Sequence, residues 1–497
     1  MREQLPALIV VVPLLASLVA PLVAYFSTAL VRLVAIAAIL VANISAIGSL
    51  THALTKGNWH YHFGDWAPPW GIELVIDPLA GAIAVLISFV SLVVVIYAGP
   101  YLKEDGWLKK GIFYSLFALL TTGLLGMVVT GDVFNLYVFL EISSLAGYAL
   151  IASGGNKAVV AAFRYLLIGT IGASFYLLGI GYLYAVTGTL NMVDLAEKLP
   201  LLMDSPAVII AIVMLVVGLG TKMALFPLHG WQPDAYTYSH PAAAAFIAGV
   251  MGKVPAYAAI RFFFFIMGAA TGPVYKALQI MGWLAAAGII IGSLMAIAQK
   301  DFRRMLAYSS VAQIGYVVVG LAIGNSLALI GAVLHIINHA IMKSCLFLVA
   351  GGIQWRTGNV SVEKFAELNK KMPLTMGALV IAALSMVGLP PTAGFFSKWY
   401  LVLGAIEADM WFYVVVIIIS SLLNAVYFFR VIENIYMKKA SEEAKDKDKD
   451  KGKGMFELPL QMLVPIVVLG LGILVLGILN EPIVSQVIQF VIPGGGQ

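Results

Sequence analysis

Cysteine is almost missing from this 497-residue chain, and the single Cys345 excludes an internal disulfide, a four-cysteine iron–sulfur cluster and a cysteine-ligated zinc site. Charge is scarce as well. Asp, Glu, Lys and Arg make up 11% of the residues against 61% that are apolar, and the apolar runs recur along the whole length, so no soluble catalytic half is expected. There is no Walker A sequence and no GxGxxG opening a helix after a strand, which removes the usual nucleotide-binding devices. The seven histidines, at 52, 60, 62, 229, 240, 335 and 339, are too scattered to favour haem or zinc. Neither a cofactor nor a nucleic-acid partner is expected for this chain.

What is present reads as an all-α polytopic membrane protein. At roughly 20 residues per spanning helix, fourteen spans are predicted near 5–28, 30–53, 78–100, 111–131, 133–152, 159–187, 206–228, 241–266, 275–298, 305–323, 326–351, 374–405, 411–436 and 458–482. The first run lacks a small-residue cleavage site and leads straight into another span, so it reads as a retained helix. An even count puts both termini on one side of the membrane. With the N-terminus outside, 21 loop lysines and arginines face inward and 5 face outward, which predicts both termini outside; the membrane expected is the plasma membrane. The organisation is three helices in 1–110, five in 111–266, five in 275–436, a mixed-charge cytoplasmic linker at 437–457, and a last helix with its tail in 458–497. His60, Tyr61, His62, Asp65, Trp66 and Trp70 form an outer loop that reads as an interfacial cap.

Ionisable groups at mid-membrane cost roughly 2.5–3.5 kcal/mol each, so they tend to face a wet interior and mark an ion path. Glu141 lies mid-span with Tyr137, Ser143, Ser144 and Tyr148 on the same helix. Lys222 sits in GLGTKMALFPLHGWQPDAYTYSHP, where Pro227 and Pro233 interrupt the helix. A second interruption, at Pro390 and Pro391 in SMVGLPPTAGFFSKWYLV, precedes Lys398. Broken helices at membrane depth are tolerated where they line a cavity. Two of them, five spans apart and each with a lysine, predict two five-helix repeats that an odd helix count makes inverted. His335, His339 and Lys343 recur every four residues along one helix face and could relay protons through water. Metal binding is disfavoured there, since HIINH lacks the glutamate of HExxH. Lys253 is central in its span, two residues before Pro255, where a weakened helix could take up water; a structural ion pair is the alternative.

The stretches FPLHGWQPDAYTYSHPAAAAFIAGVMGKVPAYAAIR (226–261), AYSSVAQIGYVVVG (307–320), HIINHAIMKSCLFLVAGG (335–352) and GLPPTAGFFSKW (388–399) resemble the antiporter-like subunits of the respiratory complex I superfamily. The resemblance spans essentially the whole chain. It is strongest to the D-type subunit of Mrp sodium/proton antiporters and its counterparts in membrane-bound hydrogenases and ferredoxin-linked complexes. It implies fourteen helices with two inverted repeats and proton-translocating roles for Glu141, Lys222, Lys253, His335, His339, Lys343 and Lys398. Leu140, where many complex I homologues have tryptophan, fits the Mrp and hydrogenase branch better.

An ion pair about 4 Å apart at an effective dielectric near 20 is worth about 4 kcal/mol. That exceeds the roughly 2.3 kcal/mol needed to move one charge against 100 mV. Separating Glu141 from Lys222 is thus large enough to drive a proton. The expected function is a proton-translocating, antiporter-like membrane subunit of a respiratory complex, with other membrane subunits and peripheral iron–sulfur and nickel–iron redox subunits as partners. The alternatives are the D-type subunit of a stand-alone Mrp-type Na⁺/H⁺ antiporter and a secondary transporter of a small solute. A strong Na⁺ site would gather oxygen ligands at one depth; lysines and histidines dominate here, so protons are expected in this subunit and sodium, if any, in a partner.

Overall fold

The computed structural model describes residues 2–268, 272–438 and 457–491. In chain order its principal helices are α1 (Leu5–Phe26), α2 (Thr28–Lys56), α3 (Pro78–Tyr101), α4 (Trp107–Val129), α5 (Val133–Ala152), α6 (Asn156–Thr187), α7 (Met192–Lys198), α8 (Pro206–Lys222) and α9 (Gln232–Tyr238). They continue as α10 (Pro241–Phe246), α11 (Lys253–Ile260), α12 (Gly272–Ile297), α13 (Phe302–Ile323), α14 (Ser326–Thr357), α15 (Leu368–Lys371), α16 (Pro373–Val387), α17 (Ala393–Glu407), α18 (Trp411–Tyr436), α19 (Leu460–Ile478) and α20 (Asn480–Gln486). Lipid offers the backbone no hydrogen bonds, so apolar runs of this length close their own as helices.

Among the described residues 12 helices are long and apolar enough to span, counting Pro241–Ile266 as one. The shorter apolar helices Pro206–Lys222 and Pro373–Val387 bring the spans to the expected fourteen. At 17 and 15 residues these two cover about 26 and 22 Å, short of the roughly 30 Å hydrocarbon core. Each is completed by a second piece, α9 or α17, after an irregular stretch. The spans expected at 133–152, 241–266 and 411–436 match the helices residue for residue.

The interruptions are not placed quite as the prolines suggest. Helix α8 already ends at Lys222, five residues before Pro227, because Ala224 turns into the left-handed region at φ 58°. Pro233 is no break at all. It lies in the first turn of α9, where a missing N–H loses no helical bond. Pro390 and Pro391 do fall in the gap between α16 and α17, and Gly388 ends α16 at φ 95°.

The central layer is Pro241–Ile266, α13 and α14, which are almost wholly buried, whereas less than half of α1, α2 and α6 is enclosed. Pro241–Ile266 is itself irregular, with π-helical turns at Ile247–Met251 and Arg261–Ile266 on either side of α11. On the face read as outer, the expected loop is an antiparallel hairpin of β1 (Trp59–His62) and β2 (Glu73–Ile76). Its buried Glu73 lies 2.9 Å from His60 Nδ1 and accepts from Asn191 Nδ2 at 2.7 Å, stapling the hairpin to the loop after α6. The charged linker expected at 437–457 lies mostly at 439–456, outside the described residues.

Candidate functional site: a polar axis between two broken helices

At the first break, α8 presents Lys222 at its C-terminal end, where helix carbonyls favour a cation. Its Nζ donates to Ser144 Oγ at 2.7 Å, to Glu141 Oε1 at 3.4 Å and to Tyr148 Oη at 3.5 Å. Those three acceptors recur along α5 at helical spacing, so one face of α5 builds the whole pocket. Lys222 is buried, while the Glu141 side chain is 24% exposed at the edge of the bundle. A cavity of about 10 Å³, room for about one water, lies beside Lys222 and reaches Met251 and Pro255.

Those two residues flank Lys253 in the irregular central span. Lys253 is buried, and its Nζ donates to the carbonyl of Ala248, inside the first π turn. Among the described residues Lys222 is the axis lysine paired with a carboxylate; Lys253, Lys343 and Lys398 are held by carbonyl and hydroxyl oxygens. The structural ion pair weighed for Lys253 is not formed among the described residues.

Helices α13 and α14 run antiparallel and set the next residues in pairs. Lys343 Nζ donates to Ser309 Oγ at 2.5 Å and to Leu306 O at 2.8 Å. One turn away, His339 has both ring nitrogens buried and without a protein partner, as does the side-chain amide of Gln313 on α13. A further turn on, His335 packs against Tyr316, ring centroids 5.2 Å apart, with Nδ1 3.0 Å from Ser397 Oγ. The His335 and His339 rings are 5.7 Å apart and nearly parallel. Buried polar atoms without a protein partner are where internal water binds.

Lys398, from α17, closes the axis at the second break. Its Nζ donates to the last carbonyls of α16, Met386 and Val387, both at 3.0 Å, and to Ser421 Oγ at 3.2 Å. The ammonium also lies 5.0 Å from the Tyr316 ring centroid, so Tyr316 stands between His335 and Lys398. All seven expected residues therefore lie along one series, buried except at the partly exposed Glu141. Attention to charged residues passed over Gln313, Tyr316, Ser309 and Gln232, although an amide inside an apolar span was itself a usable signal.

A fourteen-span bundle with two interrupted helices and a buried row of lysines and histidines defines an antiporter-like membrane subunit of complex I-like and Mrp assemblies. The chain belongs to the NADH:quinone oxidoreductase/Mrp antiporter transmembrane family, whose model matches residues 130–424. It is 57% identical over 498 residues, 99% of each chain, to the N-type subunit of the NADH-quinone oxidoreductase of Desulforudis audaxviator. It is 33% identical over 429 residues to the D-type subunit of the Na⁺/H⁺ antiporter of Alkalihalophilus pseudofirmus, covering 86% of this chain and 84% of that one. Among solved structures it matches a chain of the archaeal membrane-bound sulfane sulfur reductase with a TM-score of 0.89 at 29% identity, covering 98% and 96% of the two chains. A chain of the Mrp complex from Dietzia matches with a TM-score of 0.87 at 25% identity and the same coverage. The protein is a multi-pass membrane protein whose structural neighbours are subunits of multi-subunit membrane complexes.

Proposed function

We propose that this subunit moves protons along the axis from Lys222 through Lys253 and the His335, His339, Lys343 group to Lys398. Protons enter from the cytoplasmic side near Lys222 and leave past Lys398 toward the outside, with both chain termini on that outer face of the plasma membrane. The two repeats, 111–266 and 275–436, each contribute one broken helix. Glu141 is the switch: its carboxylate stabilises the Lys222 ammonium when close and releases the proton when drawn away.

The observation that carries this reading is the Glu141–Lys222 contact at 3.4 Å, an ion pair at the end of a row of otherwise uncharged partners. Glu141 also argues for a neighbouring subunit, because a partly exposed carboxylate at membrane depth needs a polar cover that lipid does not provide. The 57% identity to a protein named for NADH-quinone oxidoreductase supports a redox-linked host, in which electron transfer in partner subunits drives the pump. A stand-alone Mrp-type antiporter is the second reading, favoured by the 33% relative named for a Na⁺/H⁺ antiporter.

Two measurements test the proposal. Glu141→Ala and Lys222→Ala should abolish coupled ion movement in proteoliposomes of the purified complex while leaving its subunit composition intact; full transport in either would sink it. Mass spectrometry of the gently solubilised complex should find redox subunits beside this chain. Small membrane partners alone would assign it to the Mrp-type assembly.

A further inference from the structure

Half-helix α9 is tied down at both ends. Around its first turn Asp234 pairs with Arg164 at 2.8 Å and with Arg304 at 3.1 Å, Trp231 Nε1 donates to Thr221 O at 3.0 Å, and the Trp231 ring stacks on Tyr165 at 3.7 Å. Toward its far end buried Arg303 donates to the carbonyls of Tyr236 and Ser239 at 3.1 and 2.6 Å. None of these ties uses the side chains of Gln232 or Tyr236.

Those two side chains are 1% exposed and face the central span together. Gln232 Nε2 donates to Tyr236 Oη at 3.0 Å, whereas Gln232 Oε1 is buried and has no partner in the protein. An acceptor left bare in an apolar interior is costly, so an amide here needs a reason that packing does not supply. Its neighbour across the gap is Gly252, the residue before Lys253. A methyl built on Gly252 would stand 3.5 Å from Tyr236 Oη, 3.9 Å from Gln232 Nε2 and 4.0 Å from the carbonyl of Met223, the residue after Lys222. The carbonyl after Lys222 and the amide of Gln232 thus both border the Gly252 position, one residue before Lys253. No direct hydrogen bond joins Lys222 to Lys253 among the described residues, so a relay between them needs an intermediary.

We propose that Gln232, held by Tyr236, is a positioning residue for proton transfer between Lys222 and Lys253. Its Oε1 accepts a hydrogen bond from a water that takes a proton from the Lys222 ammonium and passes one of its own to the Lys253 amine. One N–H bond breaks and one forms, the water is regenerated, and no electrons change hands. The inference rests on the proton axis proposed above.

The test uses the assembled complex in proteoliposomes. Gln232→Leu keeps the size and removes the polarity, Gln232→Glu restores an acceptor, and Lys253→Ala serves as the control for the axis itself. With subunit composition unchanged, Gln232→Leu should slow proton transport about a hundredfold, the low end of what a positioned proton-transfer group contributes. Gln232→Glu should recover most of that rate with a shifted pH profile, because the new acceptor titrates. Wild-type transport by Gln232→Leu alongside an inactive Lys253→Ala would overturn this inference and leave the axis standing. Equal loss in Gln232→Leu and Gln232→Glu, with no change of pH profile, would reduce Gln232 to a packing role and overturn it too. Wild-type transport by Lys253→Ala would instead remove the axis on which the inference rests.

Discussion

At the first break the lysine belongs to the half-helix that ends there and turns toward a carboxylate at the edge of the bundle. At the second, the lysine belongs to the half-helix that follows and turns back onto the carbonyls of Met386 and Val387, enclosed on every side. The backbone differs in the same sense. The first break bends at Ala224, φ 58°, a conformation that an L side chain adopts under strain, and the second bends at Gly388, φ 95°, without that penalty. Lys222 therefore sits where a full charge can be paired or unpaired by movement at the surface of the chain, while Lys398 is fixed to neutral dipoles. On the proposed axis the first break would receive the driving signal and the second would pass on what arrives.

That contrast predicts different consequences for the two lysines. Lys222→Met should cut proton transport at least about a hundredfold with little loss of thermal stability, because the partly exposed Glu141 can take up a proton. Lys398→Met should also stop transport, and should in addition cost about 2–3 kcal/mol by leaving the buried Val387 carbonyl without its donor and the Met386 carbonyl with only the longer bond from Asn424 Nδ2. Thermal unfolding of the purified complex distinguishes them, and a larger loss for Lys222→Met would break the comparison.

The bends themselves give a smaller effect of opposite sign. Gly388→Ala should destabilise by about 1–3 kcal/mol, since a methyl there is strained at positive φ and stands 3.1 Å from the Lys398 side chain. Ala224→Gly should be neutral or stabilise by up to about 1 kcal/mol, relieving left-handed strain against the entropy glycine brings to the unfolded chain. Chemical denaturation of both variants checks the pair of signs.

The smallest effect concerns the face read as outer, where Arg261 Nη2 meets Asp77 Oδ1 at 2.5 Å. Burial alone would raise the Asp77 carboxyl, but the Arg261 guanidinium outweighs it and holds the group below its ordinary 3.8. A depressed pKa contributes stability that is complete above the unfolded value and lost as pH falls through the folded one. The Asp77→Asn variant and the parent should therefore diverge in stability at neutral pH and converge below about pH 3.8.

Much of this was legible in the residues. Span 133–152 could be read to the residue because Asp132 caps it, accepting from Asn135 N at 2.6 Å, and a capping carboxylate before an apolar run marks a helix start. The charged axis was legible because lysines in apolar spans are costly and therefore conspicuous. The end of α8 was not, since prolines mark where a helix cannot continue and not where it has already stopped. Glu73 was hidden for another reason. Its burial depends on Asn191, 118 residues away, a contact that no local pattern encodes. Gln232 and Gln313 escaped because they carry no charge, although an unpaired buried amide is nearly as telling.

The central claim is that the Glu141 carboxylate switches the axis, and Glu141→Gln tests it most directly by keeping the shape and removing the charge. Proton movement should be followed with a pH-sensitive dye in proteoliposomes of the complex whose subunit composition matches the parent. The account predicts no coupled proton movement above the leak; transport at the parent rate would contradict it.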